Sequence, residues 1–373
     1  MNMKCGERLV RCLTGSDIDR IPFGVGLGWC PWGEALKRWR LESSNPSLEP
    51  ASVFSYDSSF AVPSLESGPF PHYENKIIAD EGETIVSLDW RGITMRNRKD
   101  GGSMPEFLDY PVKSPEDWTR IKQERYSLDK MDGRVTEDWS AFKDRISTTG
   151  EAVQVGVFPW GVFGTVRDLL GAEELLISFI TEPEMVKDMM LHLTSLWIGL
   201  WERVAGRVQI DHIHIWEDMS GKQGSLISPA MVEEFMMPCY DRIVDFAKAH
   251  NVRLISVDTD GDCSELVPLM MKHGINMFFP FEVQAGCDVL DYRKKYQALG
   301  IMGGLDKRVL AGSIADVDIV IEKAAIMISK GRYVPMFDHL IPPDAKWENF
   351  KYAAEKIKLI CNPISKQGDL SCR

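Results

Sequence analysis

The chain has 373 residues, of which 44% are hydrophobic and 26% are charged, a composition typical of an ordinary globular enzyme. Its 55 acidic residues outnumber its 43 Lys and Arg and give a formal net charge of -12, which disfavours nucleic acid and anionic membrane surfaces as partners. No apolar run reaches membrane-spanning length, no secretory signal precedes the first helix, and the eight cysteines include no CxxC pair, so we expect a cytoplasmic protein with reduced thiols.

The first third of the chain is irregular, and we assign residues 29–120 to an N-terminal insertion region. Its early part mixes Trp, Pro, Ser and Gly with little periodicity. Alternating apolar residues over 84–90, a turn containing Gly, and a second run over 93–98 predict a β-hairpin. Ser114, followed by proline, predicts a helix start, because a hydroxyl caps the first turn and proline is tolerated there.

After about residue 150, short apolar runs alternate with predicted helices. Ser228, followed by proline, predicts one helix start, and residues 181–184 predict another with a capping box. This alternation calls for parallel strands joined by crossover helices. We therefore predict an α/β fold, a (β/α)8 TIM barrel formed as one domain by residues 1–373; an open doubly wound sheet is the alternative, but no GxGxxG turn follows the first candidate strand. The predicted strands are 152–158, 212–216, 253–257, 275–279, 299–302 and 333–336.

Acidic residues follow five consecutive predicted strands at their C-terminal ends, where a parallel barrel places its reacting groups. Carboxylates gathered in one basin repel each other unless a cation or shared protons are present. A divalent metal held by carboxylates and one imidazole resolves this repulsion, and zinc suits these ligands better than manganese or iron. The residues are Glu217, Asp218, Asp258, Asp260, Glu282, Asp306 and Asp338, with His339 after the last strand.

Asp260, Glu282 and His339 are the predicted zinc ligands. Asp258 is a fourth ligand or a catalytic residue beside the ion, because it lies two positions before Asp260. The alternative for any one of these acids is structural, since acids in loops after strands commonly cap the next helix.

Three other polar residues receive a structural interpretation. His212 and His214 alternate on one predicted strand like a ligand pair, but histidines inside barrel strands are more often hydrogen-bonded core, so we leave them out of the site. Arg167 is a candidate clamp for a substrate carboxylate, and an ordinary position on a helix surface is its default interpretation.

Several stretches, taken in order, resemble the uroporphyrinogen decarboxylase superfamily, which includes corrinoid-dependent methyltransferases beside the decarboxylase itself. The likeness spans nearly the whole chain, and it implies a barrel with an N-terminal extension. The stretches are RLVR at 8–11 through DRIP at 19–22, residues 171–184, residues 226–238 and GGLD at 303–306.

Departures from the decarboxylase indicate the methyltransferase branch. The decarboxylase carries paired arginines after its first strand for the carboxylates of its porphyrinogen, whereas residues 24–32 here read GVGLGWCPW. Without such arginines the charges of that substrate would be unpaired. The methyltransferases have a His-x-Cys-Gly zinc segment and a late Cys before a Pro-Pro pair. In this sequence DTDG at 258–261 and His339, before the prolines at 342–343, are similar to those ligands in position.

The resemblance implies the methyl-donor-side enzyme of a demethylation system, similar to the aromatic O-demethylase methyltransferases. Such an enzyme would transfer a methyl group from a methoxylated aromatic to the cobalt of a corrinoid (cobalamin) carried by a partner protein. Zinc would bind the ether oxygen, which an oxygen-rich site suits, and Glu217 or Asp218 could donate a proton to the leaving group. The expected substrate-binding residues are Trp216, Phe281, Phe163, Met219 and Tyr240.

Three alternatives stay open. The first is methyl transfer on the acceptor side, from a methylcorrinoid to a thiol or pterin. Its mark would be a thiolate ligand or a pterin pocket, and Cys263 is the nearby sulfur to test as that ligand. The second is a decarboxylase of the uroporphyrinogen type, and the third is a non-catalytic binding barrel. No nucleic-acid or membrane partner is expected, and a homodimer is allowed.

Overall fold

The computed structural model describes residues 3–101 and 104–362 and shows an α/β fold. Its helices are α1 (Cys5–Thr14), α2 (Gly33–Glu42), α3 (Pro50–Phe54), α4 (Pro115–Arg125), α5 (Trp139–Thr149), α6 (Val162–Leu170), α7 (Ala172–Thr181), α8 (Pro183–Ala205), α9 (Pro229–Met231), α10 (Met237–Ala249), α11 (Leu266–Lys272), α12 (Val289–Lys295), α13 (Ile314–Lys330) and α14 (Trp347–Cys361). Its strands are β1 (Phe60–Ala61), β2 (Lys76–Asp80), β3 (Thr84–Leu88), β4 (Thr94–Arg98), β5 (Glu106–Asp109), β6 (Ala152–Val155), β7 (His212–Trp216), β8 (Ser220–Gly221), β9 (Gly224–Ser225), β10 (Leu254–Thr259), β11 (Met277–Pro280), β12 (Gly300–Met302) and β13 (Tyr333–Val334). None of the described helices is long and apolar enough to cross a membrane.

The described chain divides into two compact units. The first unit contains the described residues up to Phe60, Thr149–Ala152 and the described residues from Asn276 onward. The second unit contains Ala61–Thr148 and Val153–Ile275.

The second unit is built on the parallel strands β6, β7 and β10. Val155 of β6 is paired with Ile213 of β7, and Asp258 of β10 is paired with Trp216 of β7. The helices α6, α7 and α8 connect β6 to β7, and α10 lies between β7 and β10. Parallel strands that crossover helices cover are buried along most of their length. The first four residues of β7 are buried in this way.

The second unit also contains an antiparallel sheet with the order β2, β3, β4, β5. Strands β3 and β4 occupy the two runs that the sequence assigns to a hairpin, with Thr84 opposite Arg98 and Leu88 opposite Thr94. The turn between them contains Gly92 at φ 89, a left-handed conformation that glycine adopts without steric cost.

In the first unit, β11, β12 and β13 are parallel neighbours, with α12 and α13 as their crossovers. The N-terminal segment packs against residues 335–345 in the same unit. The indole of Trp29 donates a hydrogen bond to the carbonyl of Pro335 at 2.9 Å, and that of Trp39 donates to Ala345 at 2.7 Å. Each buried indole N–H thus has a partner, as burial requires.

Two Arg-carboxylate pairs hold the N-terminal segment of the first unit. The buried guanidinium of Arg8 donates to both oxygens of Asp19, at 2.6 and 2.8 Å. Arg20 donates to both oxygens of Asp57, at 2.6 and 2.5 Å. Such bidentate pairs are among the stronger hydrogen bonds in proteins, and both arginines lie in the first of the stretches that carry the family resemblance.

Each of the six predicted parallel strands overlaps an observed one, namely β6, β7 and β10 to β13. The two helix starts with a serine cap are confirmed, because Ser114 accepts the N–H of Asp117 and Ser228 accepts that of Met231. The capping box predicted at 181–184 is wrong. Thr181 is still part of α7 and its hydroxyl donates to the carbonyl of Ile177, so α8 begins without a side-chain cap.

We expect Asp19→Asn to lower the free energy of unfolding by about 1–3 kcal/mol at pH 7, because it leaves the buried Arg8 charge without its carboxylate. Hydrogen bonding from Arg8 holds the pKa of Asp19 well below its ordinary value. Because the pKa of Asp19 is lower in the folded than in the unfolded state, its ion pair stabilises the folded protein at pH values above the unfolded-state pKa. This stabilisation is lost as the pH falls through the acid range. Urea unfolding should therefore show the wild type and the variant converging below pH ~4. Asp17→Asn, at an exposed position nearby, is the control, and an equal loss in both variants would contradict the prediction.

Candidate active site

Glu217, the residue that follows β7, holds the first turn of α6. Its Oε1 accepts the N–H of Val162 at 3.0 Å and the hydroxyl of Tyr240 at 2.6 Å. Its Oε2 accepts the N–H of Phe163 at 2.6 Å and that of Gly164 at 3.0 Å. The first N–H groups of a helix have no partner within the helix, and the helix dipole is positive there, so a carboxylate suits this place.

The carboxyl of Glu217 is fully buried. Burial raises its pKa to about 7, while hydrogen bonds from Tyr240 and from the three N–H groups act in the opposite direction. Each oxygen already accepts two hydrogen bonds, so the geometry supports a positioning role for this residue. Its predicted role as a proton donor stays a prediction.

The close approach of α6 to β7 explains a glycine at the helix start. A Cβ at Gly161 would lie only 1.6 Å from the carbonyl oxygen of Trp216. Any larger residue would push the helix away from the strand, and the four hydrogen bonds of Glu217 would lengthen.

Asp218 and Arg167 form an ion pair beside Trp216. Arg167 Nη1 lies 3.0 Å from Asp218 Oδ2 and also donates to the Asp218 carbonyl at 2.5 Å. The guanidinium lies over the ring of Trp216, 4.9 Å from its centroid, a cation–π arrangement. The charge of Arg167 is thus balanced within the protein, which removes support for its role as a substrate clamp.

Asp258 lies in β10 opposite Trp216, and Asp260 follows the strand. Burial raises the pKa of Asp258 well above its ordinary value, and the negative charges of Asp260 and Asp218 raise it further. The three carboxyl groups therefore interact, as expected for acids at the ends of neighbouring parallel strands.

His212 and His214 belong to the buried core, as expected from the sequence. The Nε2 of His212 lies 2.7 Å from the hydroxyl of Ser256, and the Nδ1 of His214 lies 3.2 Å from the same oxygen. Burial lowers the pKa of His214 to about 4, so the ring is neutral at pH 7.

An open cleft of about 400 Å³ lies in the same unit, at the end of β6. Its aromatic residues are Trp90, Phe158 and Trp160, and the rings of Trp90 and Trp160 are 5.8 Å apart. Phe158 is 65% exposed, and its ring meets the edge of Trp216 at 4.8 Å between centroids. The cleft therefore adjoins the residue that pairs with Asp258. The sequence analysis did not predict this cleft. The expectation that residues after strand ends form the site, which was applied to acids, also applies to Phe158 and Trp160, which follow β6.

The five predicted substrate-binding residues differ in exposure. Phe163, Met219 and Tyr240 are completely buried in the second unit, and Phe281 is 1% exposed in the first. Trp216 is half-buried, so it alone of the five is partly exposed in the described structure. The contribution of the other four to substrate binding stays a prediction.

In the first unit, Glu282 lies beside a lysine that the sequence analysis did not consider. Lys307 Nζ is 3.5 Å from Glu282 Oε1 and 3.9 Å from Asp338 Oδ1. The buried carboxylate of Asp338 also accepts the N–H groups of Val283 at 2.9 Å and of Lys307 at 3.0 Å. His339, the next residue, is half-buried.

The predicted zinc ligands are divided between the units. Asp260 belongs to the second unit, and Glu282 and His339 belong to the first. Within residues 3–101 and 104–362, no group of three or more His, Cys, Asp or Glu side chains is arranged to hold a metal ion. Zinc binding by Asp260, Glu282 and His339 stays a prediction from the sequence.

Residues 84–359 match the family model described as uroporphyrinogen decarboxylase (URO-D), so the chain belongs to this family of enzymes with a TIM-barrel type of fold. The match confirms the resemblance drawn from the sequence. Among solved structures, a methyltransferase from Methanosarcina mazei is similar, with a TM-score of 0.57 and 14% sequence identity over 95% of this chain and 98% of that chain. At that identity the similarity shows a shared fold. No curated protein matches the chain by sequence.

We expect Glu217→Gln to lower the free energy of unfolding by about 1–3 kcal/mol at pH 8, because the amide nitrogen would face two donors where a carboxylate oxygen accepted both. Tyr240→Phe, which removes a single donor, should cost about 0.5–1.5 kcal/mol. Urea unfolding measures both changes. If Glu217→Gln lowers the free energy of unfolding by no more than Tyr240→Phe does, the N–H groups of α6 do not depend on the carboxylate.

Proposed function

We propose that the protein is the methyltransferase of a corrinoid-dependent demethylation system, which moves a methyl group from a methoxylated aromatic to the cobalt of a corrinoid protein. Membership of the URO-D family and similarity to a methyltransferase fold support methyl transfer as the reaction class. The observation that carries the proposal is the pairing of Asp258 with the half-buried Trp216, whose ring is in contact with the exposed ring of Phe158. We further propose that the parallel strands belong to a closed (β/α)8 barrel and that the enzyme is cytoplasmic.

The aromatic surface suits the ring of the substrate. An arene gains contact area and favourable ring-edge geometry against Trp216 and Phe158. Such contacts need no charged partner, which fits a region where the nearest guanidinium, that of Arg167, already pairs with Asp218.

The corrinoid, when its carrier protein is bound, supplies a reduced cobalt that accepts the methyl group. The bond between the methyl carbon and the ether oxygen breaks, and its electron pair stays on the oxygen. Asp258 donates a proton to this oxygen, so the aromatic leaves as a phenol and the carboxylate is reprotonated from solvent. Asp258 suits this role better than Glu217, whose oxygens accept four hydrogen bonds, or Asp218, which pairs with Arg167.

We expect Asp258→Asn to reduce methylation of the corrinoid protein by a factor of about 10²–10⁴, because an amide cannot donate the proton that the departing oxygen needs. The change in the absorption spectrum of the corrinoid reports the reaction. Asp262→Asn is the control, since the Asp262 carboxylate accepts the N–H of Ser264 in a local turn. Equal rates in the two variants, both folded by circular dichroism, would refute the role of Asp258.

Zinc assistance remains part of the proposal as predicted from the sequence, and no reaction step above depends on it. If Asp260, Glu282 and His339 bind zinc, elemental analysis should find about one ion per chain, and His339→Ala should lower the affinity by about tenfold or more. Lys272→Ala, on the surface of α11, is the control. Metal-free protein that transfers methyl groups at the full rate would contradict this prediction.

A further inference from the structure

The cleft at the end of β6 combines aromatic faces with one acid–imidazole pair. Ten residues line it: Leu65, Glu66, Ser67, Gly68, His72, Asn75, Trp90, Phe158, Pro159 and Trp160. Glu66 Oε2 lies 2.7 Å from His72 Nε2, and the His72 ring is 5.0 Å from that of Trp90. The polar edge of the cleft is therefore in contact with its aromatic wall.

None of these ten lining residues is Lys or Arg. The arginines in neighbouring positions of the second unit have other partners. Arg91 pairs with Asp89 and Asp168, at 2.8 and 2.5 Å. Arg134, fully buried, donates to the backbone carbonyls of Glu66 and Gly68, at 2.8 and 2.7 Å.

Arg125 likewise is held outside the lining. It donates to the carbonyl of Pro71 at 2.6 Å and lies over the ring of Tyr73, 3.9 Å from its centroid. The cleft thus offers a carboxylate and a hydrogen-bonded imidazole, and no side chain in its lining forms the bidentate clamp that a substrate carboxylate needs.

We propose that this cleft binds the aromatic ring of the substrate and selects uncharged methoxyphenols against methoxybenzoates. The inference rests on the function proposed above and names the substrate class within it. A ring hydroxyl can donate to the Glu66 carboxylate, which is an acceptor only. A ring carboxylate would bring a second negative charge next to Glu66 and would be repelled.

Isothermal titration calorimetry at pH 8 tests the selection with two probes, 2-methoxyphenol and 4-hydroxy-3-methoxybenzoate. A phenol with a pKa near ~10 remains neutral at this pH. We expect the wild type to bind 2-methoxyphenol at least about tenfold more tightly than the benzoate, as like-charge repulsion predicts. Glu66→Gln should bring the two affinities to within about threefold, because it removes the negative charge and keeps the shape. Glu173→Gln, at an exposed position of α7, should leave the ratio unchanged.

Phe158→Ala tests the location. It should weaken binding of 2-methoxyphenol by about tenfold, because the exposed ring contributes an aromatic contact. Phe107→Ala, at a 41% exposed position in β5, is the matched control. Thermal unfolding of each variant should stay within about 2 °C of the wild type, since both rings are on the surface.

The outcomes separate this inference from the proposed function. Selective binding of 2-methoxyphenol that depends on Phe158 and Glu66, without methyl transfer, would uphold the cleft and refute the demethylase. Methyl transfer from methoxybenzoates at equal efficiency, or binding unaffected by both substitutions, would overturn the cleft. Competition by tetramethylammonium stronger than that of phenol would also overturn it, because it would show a site for a cation.

Discussion

The buried carboxylate of Glu217 is the interaction on which the candidate site depends. A helix start and a buried carboxylate are each costly alone, since the first has N–H groups without acceptors and the second has a charge without solvent. Placed together, they satisfy one another, and Tyr240 supplies the fourth donor. This contact connects the end of β7 to α6, so the adjacent residues Trp216 and Asp218 are held between two rigid elements.

Acidic residues that follow the parallel strands of each unit have different surroundings. Repulsion among carboxylates at strand ends suggests a metal ion, and the structure shows other partners for several of them. Asp218 pairs with Arg167, Glu282 lies beside Lys307, and Asp258 has a raised pKa. An acidic cluster in a sequence is therefore weak evidence for a metal until the neighbouring basic residues have been located.

The fold and the substrate class depend on different parts of the molecule. Membership of the URO-D family describes the framework, and frameworks of this kind support many chemistries through their loops. The aromatic cleft lies in such loops, between the segment after β6 and residues 65–75. Under the proposed function, its charge and its ring faces, more than the strands beneath it, decide which substrates bind.

Much of the framework could be predicted from the sequence alone, because its signals are local. Apolar runs mark the parallel strands, and the hydroxyls of Ser114 and Ser228 mark helix starts, since a cap involves residues only three positions apart. The prediction that His214 belongs to the core was also confirmed, because an imidazole inside a strand is usually buried and hydrogen-bonded to a neighbouring strand. The capping box at 181–184 failed since the preceding helix continues into it.

The tertiary structure decided which side chains are partners. Arg167 and Asp218 are 51 positions apart, and Trp90 and Trp160 are separated by the whole of α4 and α5. No local pattern specifies such pairs, because the direction of a loop side chain depends on how distant elements pack. The family resemblance indicated the kind of enzyme from the sequence, whereas the positioning role of Glu217, the ion pair of Glu282 with Lys307 and the aromatic cleft became visible only when the chain was folded.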